Sequence, residues 1–171
     1  MFKLEHIAYF EAKQFLERAT QLNEKYIGRQ ATQEEINQLV SVFSNKLPNW
    51  FIHMLRELPL MGLEVGWQAD EPEDDYDGIQ YVDIYKPTQM IDESITAYPG
   101  IPILEKGYVC IGGDPTGSGD PYFIDFSSED APVYQIYHDA GHTAEDILKH
   151  GRVKVADSLA EFFRAGIVFE Y

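Results

Sequence analysis

The order of helical and strand-like patterns predicts an α+β fold, with helices packed on a central antiparallel sheet. Apolar residues recur at helical spacing in the first third of the 171-residue chain and again near its end. Between them lie short runs rich in Val, Ile, Tyr and Phe, separated by Gly, Pro and Asp residues typical of turns. We expect one domain over residues 1–171, with helices over about 2–58, the sheet over about 62–138 and a terminal helix over about 155–165.

Three helices are predicted in the N-terminal third of the chain. Apolar residues follow a helical stripe over residues 2–26, and Gly28 supplies a stop just beyond it. Thr32 and Glu35 form a capping box that opens a second helix. The predicted apolar face of that helix consists of Ile36, Leu39, Val40 and Phe43. A third helix is expected over residues 47–58, with a proline in its first turn.

Strand-like segments fill the middle of the chain, and a polar loop separates the first two. Five segments are rich in β-branched and aromatic residues: 62–67, 79–85, 101–113, 121–127 and 132–139. Residues 68–78 are too charged to pack and are expected to form a connection. Thr88 is placed to cap a short helix, and the last helix is expected to stop at Gly166.

The negative charge of the chain is concentrated in two segments. The sequence has 29 acidic and 13 basic residues, a formal net charge of −16. Residues 57–85 contain nine acids and residues 107–148 contain eight, with no Lys or Arg in either, whereas the rest is close to neutral. Such a field repels nucleic acid and anionic membranes and favours encounter with a basic partner. Solubility alone is the alternative explanation.

The stretch GGDPTGSGDPYFIDF, residues 112–126, lacks residues that glycine-rich phosphate sites and calcium sites require. It has no lysine for a phosphate-binding P-loop, and it leads into a strand where a dinucleotide-binding loop would lead into a helix. Counted from Asp114 as an EF-hand, it has Gly119 at position six but Thr116 and Ser118 where carboxylates are expected. The sequence therefore predicts a hairpin loop, with no metal and no cofactor.

Neither the single cysteine nor the histidine cluster predicts a catalytic site. Cys110 lies in an apolar run and is expected to be a buried, inert thiol. His138 and His142 have a spacing that could hold a metal on a helix. However, Asp139 stands where a metalloprotease has glutamate, and Gly141 weakens a helix there. We expect a polar surface loop, with a metal-dependent hydrolase built on the two histidines as a less favoured alternative.

No segment of the sequence predicts targeting or membrane insertion. Charged residues interrupt the N-terminal stretch, which excludes the apolar core of a signal peptide. No uncharged apolar run has the length needed to cross a bilayer. A cytoplasmic location is therefore expected, and the oligomeric state stays open.

The order of the segments resembles the SUKH superfamily, the bacterial relatives of the yeast Smi/Knr cell-wall regulator. LPNWFIHMLRELPLMG is similar to the proline-led helix that ends before the family's first strand. GIPILEKGYVCIGGDPTGSGDPYFIDF resembles the family's central strand, glycine-rich turn and strand, while APVYQIYHD and VADSLAEFF resemble the next strand and the terminal helix. The resemblance covers about residues 45–165, and the acidic segment 68–78 is not part of the family's core pattern.

The resemblance implies an α+β domain without catalytic apparatus, acting as an immunity protein that binds and neutralises a cognate bacterial toxin, often a nuclease. Nucleases tend to carry basic surfaces, which the acidic segments of this chain would attract. Trp67 and Tyr76 are the expected aromatic anchors, although Trp67 could also belong to the core. The expected acidic partner-binding residues are Asp70, Glu71, Glu73, Asp74, Asp75, Asp77, Asp114 and Asp120. A general protein-interaction or regulatory module of the same fold is the alternative.

Overall fold

The computed structural model of the protein describes residues 5–25, 28–117 and 119–170. Within these residues the chain forms seven α-helices, seven strands and two 3₁₀ turns at Ser44–Lys46 and Leu104–Lys106. The helices are α1 (Ile7–Leu22), α2 (Gln33–Phe43), α3 (Asn49–Glu57), α4 (Pro87–Ile95), α5 (Gly100–Ile103), α6 (Ala144–His150) and α7 (Leu159–Arg164). The strands are β1 (Glu64–Gln68), β2 (Ile79–Ile84), β3 (Tyr108–Gly113), β4 (Tyr122–Asp125), β5 (Val133–Ile136), β6 (Arg152–Ala156) and β7 (Ile167–Val168).

The seven strands form one sheet in the order β6-β5-β4-β3-β2-β1-β7, and neighbouring strands are antiparallel. The sheet curls into a half-barrel with helices packed on it. The predicted α+β fold with a central antiparallel sheet is therefore confirmed. The outer strands differ: β7 has two residues, whereas β6 carries the exposed side chains of Arg152 and Lys154. Short strands and basic side chains both discourage pairing with another sheet edge.

Side chains alternate between two faces of the sheet, and each face packs against its own helices. Val109 and Ile111 of β3 join the larger core with buried residues of α1, α2, α3 and α7. Cys110 points to the opposite face and joins a smaller core with Ile103 of α5 and Ile147 of α6. Because β3 is buried on both faces, its sequence is a continuous apolar run. Cys110 is fully buried, as predicted, and burial raises the pKa of its thiol.

The capping box of the second helix is confirmed, and the first helix is shorter than its pattern suggested. The N–H of Glu35 donates to Thr32 Oγ1 (3.2 Å), and the N–H of Thr32 donates to Glu35 Oε1 (3.0 Å). Helix α1 ends at Leu22 because the backbone of Asn23 is extended. The predicted helical residues 2–4 and 26 lie outside the described residues.

Two predictions about helix surfaces were wrong. Val40 is 49% exposed, because the buried stripe of α2 is narrower than predicted and contains only Ile36, Leu39 and Phe43. Thr88 does not cap α4, since Pro87 already occupies the first helical position. Lys86 is the N-cap residue, and its N–H donates to the side-chain oxygen of Gln89 (3.4 Å). Proline suits that position because its missing N–H would have no helical partner there.

Two segments differ from the predicted elements. Residues 100–106 are helical, whereas 101–113 was expected to be strand throughout. Residues 144–156 form α6 and β6 where a loop and the start of the last helix were expected. Thr143 caps α6 by accepting a hydrogen bond from the N–H of Asp146 (3.2 Å). The sheet therefore continues beyond residue 138, and the last helix begins only at Leu159.

Candidate partner-binding surface

Three connections lie at the same end of the sheet. Neighbouring strands are antiparallel, so β1, β3 and β5 all run in one direction. The connections that follow these strands are residues 69–78 (the acidic loop), 114–121 (the glycine-rich loop) and, before α6, 137–143 (the histidine loop). This end of the sheet therefore collects all eight acidic residues that the sequence predicts for partner binding.

The acidic loop has a hydrogen-bonded backbone. The N–H groups of Ala69 and Asp70 both donate to the carbonyl oxygen of Gly78 (2.8 and 3.0 Å). The side-chain amide of Gln68 donates to the carbonyl oxygens of Asp70 and Asp77 (both 2.8 Å). On this framework the loop exposes the side chains of Asp70, Glu71, Glu73, Asp74, Asp75 and Asp77. The carboxylates are thus carried on a backbone that several hydrogen bonds within the loop hold in place.

A side-chain network connects the acidic loop to β4, the strand that follows the glycine-rich loop. The hydroxyl of the fully buried Tyr122 accepts from Trp67 Nε1 (3.1 Å) and donates to Gln80 Oε1 (3.5 Å). Gln80 also interacts with Tyr76, whose hydroxyl donates to Asp70 Oδ2 (3.2 Å). Burial raises the pKa of Tyr122 to about 12, so its hydroxyl stays protonated. The network links the acidic loop to the first residue of β4.

The two predicted aromatic anchors have different environments. Tyr76 is 40% exposed among the acids of its loop. Trp67 is half-buried and packs edge-to-face on Tyr122, with the ring centroids 6.2 Å apart. Trp67 also lines an open groove of about 390 Å³, whose other walls include Lys154 of β6 and Phe162 of α7. Sequence patterns could not reveal this groove, because the curling of the sheet brings β1 and β6 together.

The glycine-rich loop is a hairpin connection, as predicted. It joins β3 and β4, which are adjacent and antiparallel. Gly117 and Gly119 have φ values of 79° and 87°, which favour glycine. Asp114 Oδ1 accepts hydrogen bonds from the N–H and the hydroxyl of Thr116 (2.8 and 2.7 Å), while Ser118 lies outside the described residues. Over residues 5–25, 28–117 and 119–170, no group of three or more His, Cys, Asp or Glu side chains could hold a metal ion.

His138 and His142 lie on the histidine loop with separate partners. Asp120 Oδ1 accepts from the backbone N–H of His138 (3.1 Å) and lies 2.7 Å from its Nδ1. This hydrogen bond raises the pKa of His138. The ring of His142 packs edge-to-face on Tyr98, with the centroids 5.9 Å apart. Asp120 therefore ties the glycine-rich loop to the histidine loop, and the arrangement gives no support to a metal shared by the two histidines.

The pattern that defines the SMI1 / KNR4 family (SUKH-1) matches residues 30–165. The chain belongs to this family. The resemblance to the SUKH superfamily is therefore confirmed, and membership supports an immunity-type role in general, in a family that is generally non-enzymatic. No curated protein and no solved structure matches this SUKH-1 chain.

Helix α1 precedes the residues that match the SUKH-1 pattern, yet it packs into the same core. The guanidinium of Arg18 donates to the carbonyl oxygens of Phe163 and Gly166 (3.0 and 3.1 Å). Arg164 Nε in turn donates to Glu11 Oε1 (3.1 Å). These contacts join α1 to α7 and the residues that follow it. No helix of the described part of the SUKH-1 chain is long and apolar enough to span a membrane.

Proposed function

We propose that this SUKH-1 protein is a non-enzymatic immunity protein that binds and neutralises a cognate polymorphic toxin. The toxin is a basic protein, such as a nuclease, and it docks on the end of the sheet formed by the acidic and glycine-rich loops. The observation that carries the proposal is that these two acidic segments, which are separate in sequence, meet at one end of the sheet.

The charge of this surface supports a basic partner. The acidic, glycine-rich and histidine loops together contain nine acidic residues and no Lys or Arg. The Debye length at physiological ionic strength is about 8 Å, so neighbouring carboxylates act together on an approaching protein. Such steering raises association rates by about 10- to 1,000-fold. The exposed ring of Tyr76 adds an aromatic contact among these carboxylates.

The first experiment is a pull-down from the native host at low salt, with identification of the captured protein. A basic toxin domain, bound near one-to-one and released as the salt concentration rises, is the expected result. Capture of only unrelated host proteins, or of nothing, would favour the regulatory module instead. In that case the net charge of −16 would be explained by solubility.

Charge-reversal variants then test the position of the surface. Asp74 and Asp75, both exposed in the acidic loop, are replaced by lysine, and Glu17→Lys with Glu24→Lys is the control with the same change in net charge. The loop variant should lose at least about tenfold in association rate at low salt, and the difference should shrink at high salt. The control should lose much less. Equal decreases in the association rates of the two variants would mean that net charge, and not this surface, governs association with the toxin.

A further inference from the structure

An exposed apolar patch lies beside the histidine loop. Ile95, Tyr98 and Ile101 are 39%, 47% and 40% exposed, and they lie at the turn between α4 and α5. The ring of Tyr98 contacts His142 of the histidine loop. Three of the ten large hydrophobic side chains exposed in the described part of the chain thus fall within seven residues. We call Ile95, Tyr98, Ile101 and His142 the Tyr98 patch.

The backbone that carries the Tyr98 patch is anchored on both sides. Before the turn, Ser94 is fully buried, and its Oγ accepts from the N–H of Cys110 (3.0 Å). After the turn, Ile103 is fully buried in the smaller core. Within it, Gly100 lies so close to the carbonyl oxygen of Glu93 that a Cβ atom would collide with it. Because this backbone is already fixed, a partner that covers Tyr98 has to restrict only its side chain.

The chain segments that carry the Tyr98 patch are acidic between Lys86 and Lys106 and up to Lys149. Residues 87–105 and 137–148 each contain three acids and no Lys or Arg. The exposed acids of these segments are Asp92, Glu105, Asp139, Glu145 and Asp146. An apolar centre with a polar rim is the usual anatomy of a protein–protein interface. By contrast, the exposed side chains of Ile7 and Phe10 lie on α1, which contains both acidic and basic residues.

We infer that the Tyr98 patch is the apolar anchor of toxin binding. An apolar side chain of the basic toxin packs on Tyr98 and Ile101, while its cationic neighbours face the surrounding acids. The inference rests on the proposed function and adds to the binding free energy a short-range contribution that salt does not screen. A second copy of this chain is the wrong occupant, because its own acidic surface would repel these segments.

The test compares variants of the full chain for binding to the basic toxin domain that the pull-down captures, after its purification. Tyr98→Ala with Ile101→Ala should raise the dissociation rate at least about tenfold, with little change in the association rate, because the removed contacts are short-range. The loss should persist at high salt, unlike that of the Asp74 and Asp75 variant. Phe10→Ala is the matched control, since Phe10 is 55% exposed on α1, and it should leave both rates unchanged. Tyr98→Phe should bind as the unsubstituted chain does.

The outcomes separate this inference from the proposed function. Unchanged dissociation from the Tyr98 and Ile101 variant, together with weaker binding of the acidic-loop variant, would overturn the Tyr98 patch alone. Failure of the unsubstituted chain to bind any toxin would overturn both. Hydrogen exchange on the complex of the unsubstituted chain is a test that does not depend on the folding of a variant. Residues 95–101 should become protected on binding, and their unaltered exchange would refute the inference.

Discussion

Replacing Tyr122 by phenylalanine removes one oxygen atom and keeps the ring, so it tests the network that joins the acidic loop to β4. The hydroxyl accepts from Trp67 Nε1 at 3.1 Å and donates to Gln80 Oε1 at 3.5 Å. The second distance is at the limit of hydrogen bonding, so the bond from Trp67 carries most of the expected effect. Tyr122→Phe should therefore act mainly by leaving the indole N–H without its partner.

The magnitude follows from the burial of the two partners. A net hydrogen bond contributes about 0.5–1.5 kcal/mol, and a buried donor left unpaired costs about 1–3 kcal/mol. Tyr122 is fully buried, whereas Trp67 is only half-buried. We therefore expect the lower end of the range, a loss of about 1–2 kcal/mol in the free energy of unfolding.

Urea unfolding followed by circular dichroism is the suitable assay, because the substitution would also change the fluorescence of Trp67. The control is Tyr137→Phe, which removes the hydroxyl of an exposed tyrosine outside this network and should cost less than about 0.5 kcal/mol. A double-mutant cycle with Trp67→Phe should give a coupling energy of about 1 kcal/mol. A Tyr122→Phe effect no larger than that of the control, or a coupling energy near zero, would refute the network.

Three further predictions concern titratable groups. Hydrogen bonds from Arg29 (2.7 and 2.8 Å) lower the pKa of Glu35 to about 2 from its ordinary 4.5. Glu35 should therefore stabilise the fold above about pH 4.5 and lose that contribution as the pH falls to about 2. Glu35→Gln should flatten the dependence of the melting temperature on pH in this range. An unchanged pH dependence would contradict the ion pair. Cys110, buried and with a raised pKa, should react with a thiol reagent only after denaturant is added, and reaction in the native state would show that the smaller core opens. The pKa of His138 is raised, so its stabilising contribution should be complete below pH 6.5 and lost as the pH rises through the higher folded value. An NMR titration should show that Asp120→Asn lowers this pKa, and equal values would argue against the contact.

The elements that sequence patterns predicted well are those whose signals are local or unusually strong. The capping box of Thr32 and Glu35 needs only residues three apart, and the continuous apolar run of β3 reflects burial on both faces. Strand β6 escaped prediction because it is a short edge strand in which Val153 and Val155 alternate with exposed basic residues. Ile103 was assigned to a strand, but its packing in the smaller core outweighs the local preference of its segment.

The candidate surface was only partly predictable for a related reason. Charge identified residues 68–78 as an exposed loop, because a segment with so many carboxylates has no place in a core. The turn residues Pro115, Gly117 and Gly119 identified the glycine-rich loop. Their position at one end of the sheet depends on strand order, which no local pattern records. The contact between Tyr98 and His142 likewise depends on how the α4–α5 turn lies against the histidine loop.

The two outer strands of the sheet affect how much of this protein could accumulate in a cell without aggregating. If it is an immunity protein, it has to accumulate in excess over the toxin, so collisions between its own copies would far outnumber those with its target. Strand β7 offers only two residues to another sheet, and β6 presents Arg152 and Lys154 along its length. Both outer strands are poor templates for fibre growth, which would suit a protein that accumulates before it is needed.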